Sequence, residues 1–255
     1  MPCSDFIPHP AGADTIFVAP FPAYDVVIPC HNRAHVVADA VASVLAQAHA
    51  ATRIIVVDDG STDDSAAVIR ALAAQHPTVH AVILPRNVGA SQARNSGLAC
   101  ASAEWVAFLD SDDVWLPGAA EALLAPAHLA HDIVVGHFSR LEQGGEPEEP
   151  ECGWDGHDIR AALATGGVVG PSWSIARRSA VERVGGFDPS FHNCNDWDFY
   201  TRAAAAGARF VRTEATVALY RTVAGHRLVA DHAVGATNAA RVLAHPYLAA
   251  LLEAA

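Results

Sequence analysis

The chain has 255 residues, 51% of them hydrophobic and 17% charged, a balance that builds a sizeable core and excludes a disordered chain. A formal net charge of −12 is poorly suited to tracking a phosphate backbone, so nucleic acid is not an expected partner. Five widely spaced cysteines (Cys3, Cys30, Cys100, Cys152, Cys194) with no CxxC pair argue against a disulfide framework or a thiolate zinc site.

Residues 1–23 are Pro-rich and aperiodic and read as an irregular arm. The opening "MPCSDFIPHPAGAD" has no Lys or Arg and no apolar run, so it does not resemble a signal peptide. No stretch is long and apolar enough to span a bilayer. The expectation is a soluble, cytoplasmic protein with no stable membrane insertion. "YDVVIP" (24–29) predicts a buried strand, and "AHVVADAVASVLAQA" (34–48) has apolar residues at helical spacing. "TRIIVVDDGS" (52–61) predicts a strand ending in acids, followed by a helix over 63–75 with acids in its first turn. A strand over 78–85, a helix over 88–101 and a strand over 104–112 complete the alternation. Such alternation predicts a parallel α/β sheet with helices on both faces, and ligands in such sheets lie outside the carboxyl ends of the strands.

The pattern then loosens. Strands are expected over 132–142 and 171–178, around a solvated Gly/Pro/Glu-rich loop at 143–153. Residues 184–207 read as a turn-rich lead into a helix, 208–222 as paired strands, and the Ala-rich tail from 228 as helical. That tail could cover the site, pack on the sheet or form a homodimer contact.

Two acidic clusters fall at strand ends. "AFLDSDDVW" (107–115) crowds Asp110, Asp112 and Asp113 together. Two charges about 4 Å apart repel by roughly 4 kcal/mol at an effective dielectric of about 20. On an ideal strand Asp110 and Asp112 share one side, and hard cations such as Mg2+ or Mn2+ take one or two carboxylates plus substrate phosphates. A solvated turn capping a helix near Pro117 would also account for the acids. The second cluster, Asp58–Asp59, could accept hydrogen bonds from a base or ribose, or end a strand with Ser61 or Thr62 as the next helix cap. In "NDWDFYTR" (195–202), Asp196 beside bulky aromatics suits a general base of raised pKa. Equally, Asn195 or Asp196 could cap the helix. Arg86, Arg94 and Arg221 could each meet phosphate or carboxylate. His31, His192 and His226 are weaker candidates among 14 histidines.

The ordered set "VVIPCHNR", "IIVVDDGSTDDS", "NVGASQARNSGLACASAEWVAFLDSDDVW" and "VGGFDPSFHNCNDWDFYTR" resembles the family-two glycosyltransferases over residues 24 to 226. The resemblance implies a GT-A fold, the nucleotide-diphospho-sugar transferase architecture, with a mostly parallel sheet, helices on both faces and a Rossmann-like N-terminal half. It implies one domain over 24–226, in which 24–115 binds the nucleotide sugar and 116–226 the acceptor, with 227–255 a helical tail. The implied reaction is inverting transfer from a nucleotide-diphosphate sugar, most often a UDP-sugar, with Mn2+ or Mg2+. Pro29, His31, Asn32, Arg33, Asp58, Asp59, Asn87, Gly89, Arg94, Asp110, Ser111 and Asp112 would bind the donor. Asp112, helped by Asp110, would hold the metal, and Asp196 would be the catalytic base, with Asp198 as backup. The acceptor is open: a saccharide, a lipid-linked sugar, a peptide or a natural product.

Two positions depart from the family pattern. Asn195 stands where Glu usually precedes the catalytic Asp. In "YRTVAGH" (220–226), Val223 stands at the family's His position, with His226 a conceivable substitute. A non-catalytic nucleotide-sugar or glycan-binding module on the same fold is therefore the alternative. A sugar-nucleotide pyrophosphorylase is disfavoured, because "VVIPCHNRAH" lacks the glycine-rich loop that cradles phosphates.

Overall fold

In the computed structural model, residues 21–128, 130–142, 144–222 and 232–252 are described. The arm up to residue 20, Val223, His226 and the first residues of the tail lie outside them. The strand β1 (Tyr24–Cys30) is buried along all seven residues, and its alternating side chains enter two separate cores. Tyr24, Val26 and Ile28 face one, beside Val37, Val41 and Val44 of helix α1 (Val37–Leu45). Val27 faces the other, beside Ala93 of helix α3 (Ala90–Leu98). Each fully buried aliphatic side chain of this kind contributes about 1.5–3 kcal/mol.

The first half follows the expected alternation: β2 (Arg53–Asp58), α2 (Ser65–Gln75), β3 (Val79–Ile83), α3 and β4 (Trp105–Phe108). These strands lie in the order β3-β2-β1-β4, all parallel. Pro29 fits inside a central strand because β4 pairs with β1 only as far as Val27, so no ladder bond is lost on that side. Helix α3 sits close on the sheet because residue 97 is glycine: a Cβ there would lie 2.3 Å from Val27 Cγ1.

The rest of the sheet adds β5 (Val114–Trp115), β6 (Ile133–Glu142), β7 (Ser174–Arg177) and β8 (Phe210–Thr222), giving the full order β3-β2-β1-β4-β7-β6-β8-β5. β7 is antiparallel to β4 and β6, β8 is parallel to β6, and β5 is antiparallel to β8. The expected strand pair over 208–222 is one strand of 13 residues. The segment contains no Gly, Pro or Asn to turn on, and the irregularity becomes a bulge: Val135 pairs with Arg212 but His137 with Thr216. Helices α4 (Ala119–Leu124), α5 (Ile159–Leu163) and α6 (Arg178–Arg183) are short. Helix α7 (Asn195–Ala205) lies in the second core through Phe199, Tyr200 and Ala203. The tail forms α8 (His232–Leu243) and α9 (Pro246–Leu252), both packed on α7. Among the described residues no helix is long and apolar enough to cross a membrane.

Candidate active site

Four loops meet at the carboxyl ends of β1 to β4. The loop after β1 is tied to the loop after β2 by side chains from both. His31 Nδ1 donates to the Asp59 carbonyl at 2.8 Å, and Asn32 Nδ2 lies 3.3 Å from His31 Nε2. Asn32, at φ 51°, accepts from Thr62 N at 2.8 Å, while its own N–H donates to Ser61 Oγ at 2.9 Å. The loop after β3 is drawn in by Asp59, whose two carboxylate oxygens accept from Val88 N (2.7 Å) and Gly89 N (2.9 Å). Gly60 permits that approach, because a Cβ there would lie 2.3 Å from the Arg86 carbonyl carbon. Asn87 is exposed and Gly89, at φ 90°, leads into α3. Both Asp59 oxygens are therefore engaged by backbone. Buried Asp58 keeps Oδ1 without a hydrogen-bond partner. Pro29 is buried within β1.

The acid cluster after β4 is a turn and not a strand tip. β4 ends at Phe108, and Asp113 N donates back to the Asp110 carbonyl at 3.0 Å. The side chains of Asp110 and Asp112 are about one third exposed, whereas Ser111 and Asp113 are buried. Arg94 Nη2 binds Asp110 Oδ1 at 2.5 Å, and Arg33 Nε approaches Asp112 Oδ2 at 3.4 Å. Ser172 joins both ends of the turn: its Oγ accepts from Asp110 N at 3.2 Å and donates to Asp113 Oδ2 at 2.5 Å. Arg221 clamps the other side, through its N–H to Asp113 Oδ1 (2.9 Å) and its Nε to the Asp112 carbonyl (2.5 Å). Burial, then the neighbouring acid Asp110, pushes the Asp112 carboxyl above its ordinary range. Asp113 is raised more strongly, by burial and by both neighbouring acids.

Arg94 connects this turn to α7. It is buried, 5.1 Å from the centroid of the Phe187 ring, with Nη1 donating to Asn195 Oδ1 at 3.1 Å and Nη2 on Asp110. A neutral amide thus meets the guanidinium at the position where the family pattern has Glu. Asp196, half-buried, accepts from Trp197 N at 2.8 Å. Burial raises its carboxyl above the ordinary value, the Trp197 N–H and Arg94 pull it back, and Asp110 pushes it up again. The residue that precedes α7 is Cys194, in the left-handed region at φ 56° and without a side-chain cap of its own, so Asn195 and Asp196 are the first two residues of the helix. The α2 cap is likewise neither Ser61 nor Thr62. Asp64 precedes that helix, and Asp63 accepts from Ser65 N and Oγ.

Asp198 is not available as a second base. It lies two residues on, about 200° round the helix from Asp196, is buried, and pairs with Arg202 at 2.7 Å. Arg86 and His192 are exposed. Ser172, Asp113 and the bracing role of Arg221 were not expected. Asp113 was visible as the third acid of the run, but Ser172 sits 59 residues from the carboxylate it binds and carries no local signal.

The donor set suits a hard cation. It is all carboxylate oxygen, and among the described residues the three acids within four residues form ion pairs with two side-chain cations, Arg33 and Arg94. Among the described residues no group of three or more His, Cys, Asp or Glu forms a protein-only cage. A cation that completes its shell with phosphate oxygens does not need one.

The family model described as Glycosyl transferase family 2 matches residues 25–185, the stretch holding the four loops and Arg94. The chain belongs to this family. The uncharacterized glycosyltransferase alr2836 of Nostoc sp. is 34% identical over 174 residues, 64% of this chain and 53% of that protein. The chain thus spans about half the length of that curated relative. Among solved structures, S. aureus TarS 1–349 in complex with UDP-GlcNAc matches with TM-score 0.72 at 19% identity, over 90% of this chain and 71% of that one. The mannosyltransferase PcManGT from Pyrobaculum calidifontis, in complex with GDP-Man and Mn2+, matches with TM-score 0.60 at 22% identity, over 78% of this chain and 56% of that one. The family-2 glycosyltransferase carries the GT-A fold. Its α7 lies beyond the matched residues, so Asp196 rests on the geometry and the sequence motif.

Proposed function

We propose that this chain transfers a glycosyl group, with inversion, from a nucleotide-diphosphate sugar to an acceptor hydroxyl or other nucleophile, and that the donor is a UDP-sugar. The observation that carries this reading is the Arg94 bridge. One buried guanidinium joins the acid turn to the first residue of α7, which brings the electrostatics of Asp110 and Asp196 together. The solved relatives were captured with a UDP-sugar and a GDP-sugar, which supports a nucleotide-sugar donor here.

In this reading the loops after β1, β2 and β3 receive the nucleoside, with Pro29, His31, Asn32, Asp58, Asp59, Asn87 and Gly89 at its margins. The unpartnered Asp58 oxygen is an acceptor for a base or ribose donor. Asp59 acts by holding the Val88–Gly89 loop in place. Asp112 and Asp110 would hold Mn2+ or Mg2+, whose charge would offset that developing on the leaving diphosphate. Ser111 lies buried between the two acids, and Arg33 and Arg94 pair with their carboxylates. The Asp196 carboxylate accepts the proton of the attacking hydroxyl, and its raised pKa brings it nearer neutrality, where a general base works best.

Calorimetric titration of UDP, with and without Mn2+, tests the donor side. UDP should bind the wild type more tightly with Mn2+, and Asp112→Asn should lose that gain. Absence of UDP binding under both conditions overturns the uridine assignment. For the base, Asp196→Asn should cut turnover about 100- to 10,000-fold while keeping UDP affinity. Undiminished turnover would remove Asp196 from the role.

A further inference from the structure

We propose that the C-terminal helix α8 sets the turn that presents Asp196, with Asn238 as the positioning residue. The proposal rests on the reading of Asp196 as base, and it adds a part of the chain that the family match does not reach.

Helix α8 reads "HAVGATNAARVL". In so Ala-rich a helix, Gly235 is the poorest helix former, and it lies three residues from Asn238 on one face with buried Val242. That face meets the chain just before α7. Asn238 is 5% exposed and its Nδ2 donates to Asn193 Oδ1 at 2.6 Å and to the Asn193 carbonyl at 3.3 Å; Asn193 is 6% exposed. Gly235 lies against the same segment: a Cβ there would stand in ordinary contact, 3.5 Å, with Asn193 Nδ2, and the Cys194 thiol reaches the Gly235 carbonyl at 3.9 Å. Arg241 grips the same loop from outside. Its Nη1 donates to the Ser190 carbonyl (3.2 Å) and to Asn238 Oδ1 (3.0 Å), and its guanidinium lies 3.9 Å from the Phe191 ring centroid.

The residue this clasp surrounds is Cys194, a non-glycine at φ 56°. A left-handed residue with a side chain persists where its surroundings hold it, and here the surroundings are α8. The next two residues are Asn195, which meets Arg94, and Asp196. If Cys194 relaxed to an ordinary conformation, the first turn of α7 would swing and both side chains would leave the Arg94 bridge.

The test uses the full chain with Asn238→Asp, which keeps shape and the Arg241 contact but removes the donor. Its companions are Asn238→Gln, which restores an amide donor, and the surface change Arg241→Ala. Amide hydrogen exchange is read over 193–198 and over β1–β4. UDP release from UDP-GlcNAc, with water as acceptor, gives turnover and donor KM, with Asp196→Asn as control. In Asn238→Asp, exchange over 193–198 should rise at least tenfold with β1–β4 unchanged, and kcat should fall about tenfold with donor KM unchanged. Asn238→Gln should recover part of both, and Arg241→Ala should show a smaller change in the same direction. Unchanged exchange over 193–198 overturns the proposal. So does raised exchange with undiminished kcat in a protein that Asp196→Asn inactivates. If Asp196→Asn leaves UDP release intact, or the wild type releases none, the base reading fails and not the clasp, which the exchange data then decide alone.

Discussion

The two acidic strand ends look alike in the sequence and behave oppositely in the structure. After β2, each Asp59 oxygen takes a backbone N–H, and nearby Asp63 is held below the ordinary carboxylate range: burial alone would raise it, but bonds from Ser65 and Ala34 outweigh that. After β4, Asp112 is raised by burial and by Asp110, Asp113 by burial and by both Asp110 and Asp112, and the turn is kept closed by Arg33, Arg94, Ser172 and Arg221 from elsewhere in the chain. In the first cluster both Asp59 oxygens are spent on ties that shape the loops, and Asp58 Oδ1 is left without a partner. In the second, among the described residues, three acids pair with two side-chain cations, a balance that suits the proposed cation.

That contrast has a direct thermodynamic form. Asp59→Ala removes the charged acceptor of Val88 N and Gly89 N, leaving Gly89 N only Asn87 Oδ1, and should cost about 3 kcal/mol. Asp112→Ala removes a charge-crowded group about one third exposed and should cost less than about 1 kcal/mol. Urea denaturation of the two variants without added metal reads the difference, and equal losses would break the comparison. A smaller effect is expected at the link between the acid turn and α7. Asn195→Leu leaves Arg94 Nη1 buried without an acceptor, and Nε already has none, so about 2 kcal/mol should be lost. Asn195→Asp, which keeps an acceptor, should lose much less.

What was legible in the chain follows the same division. β1 to β4 and their helices declare themselves through local periodicity: Val37, Ala40, Val41 and Val44 give α1 its buried stripe, and the runs in β1 and β2 give the buried strands. The loops after β1, β2 and β3 were legible because each is a short motif directly after a strand. The turn at 110–113 was legible in composition but not in shape, since nothing in "LDSDD" says that the strand ends at Phe108. The later half depends on partners far apart in sequence. The bulge in β8 needs Gly136 beneath Val217, Ser172 acts on Asp113, and Arg221 closes on Asp112, 109 residues away. The "NDWDFYTR" motif marked Asp196, yet only the fold shows that Asp198 faces away and pairs with Arg202. It also took the fold to show that Asn195 keeps contact with Arg94 despite lacking the family's charge.

The smallest expected effect sharpens the comparison most cleanly because it changes sign with environment. Asp63 accepts from Ser65 N, Ser65 Oγ and Ala34 N, bonds that favour its charged form. Its folded-state pKa lies below the unfolded value of about 3.9, so the unfolded chain binds more protons as pH falls through that window. The stabilisation is therefore complete above pH ~4 and is lost as pH drops through the folded value. Because Asp63 is exposed, solvent screening limits the contribution, and Asp63→Asn should lose only about 0.5 kcal/mol at pH 7. Thermal melts of wild type and variant from pH 7 to pH 3 should converge at the acid end. Raised carboxylates at the β4 turn predict the opposite slope, stability declining as pH rises above the unfolded value. A wild-type advantage over Asp63→Asn that grew on acidification would mean that the two strand ends are not electrostatic opposites.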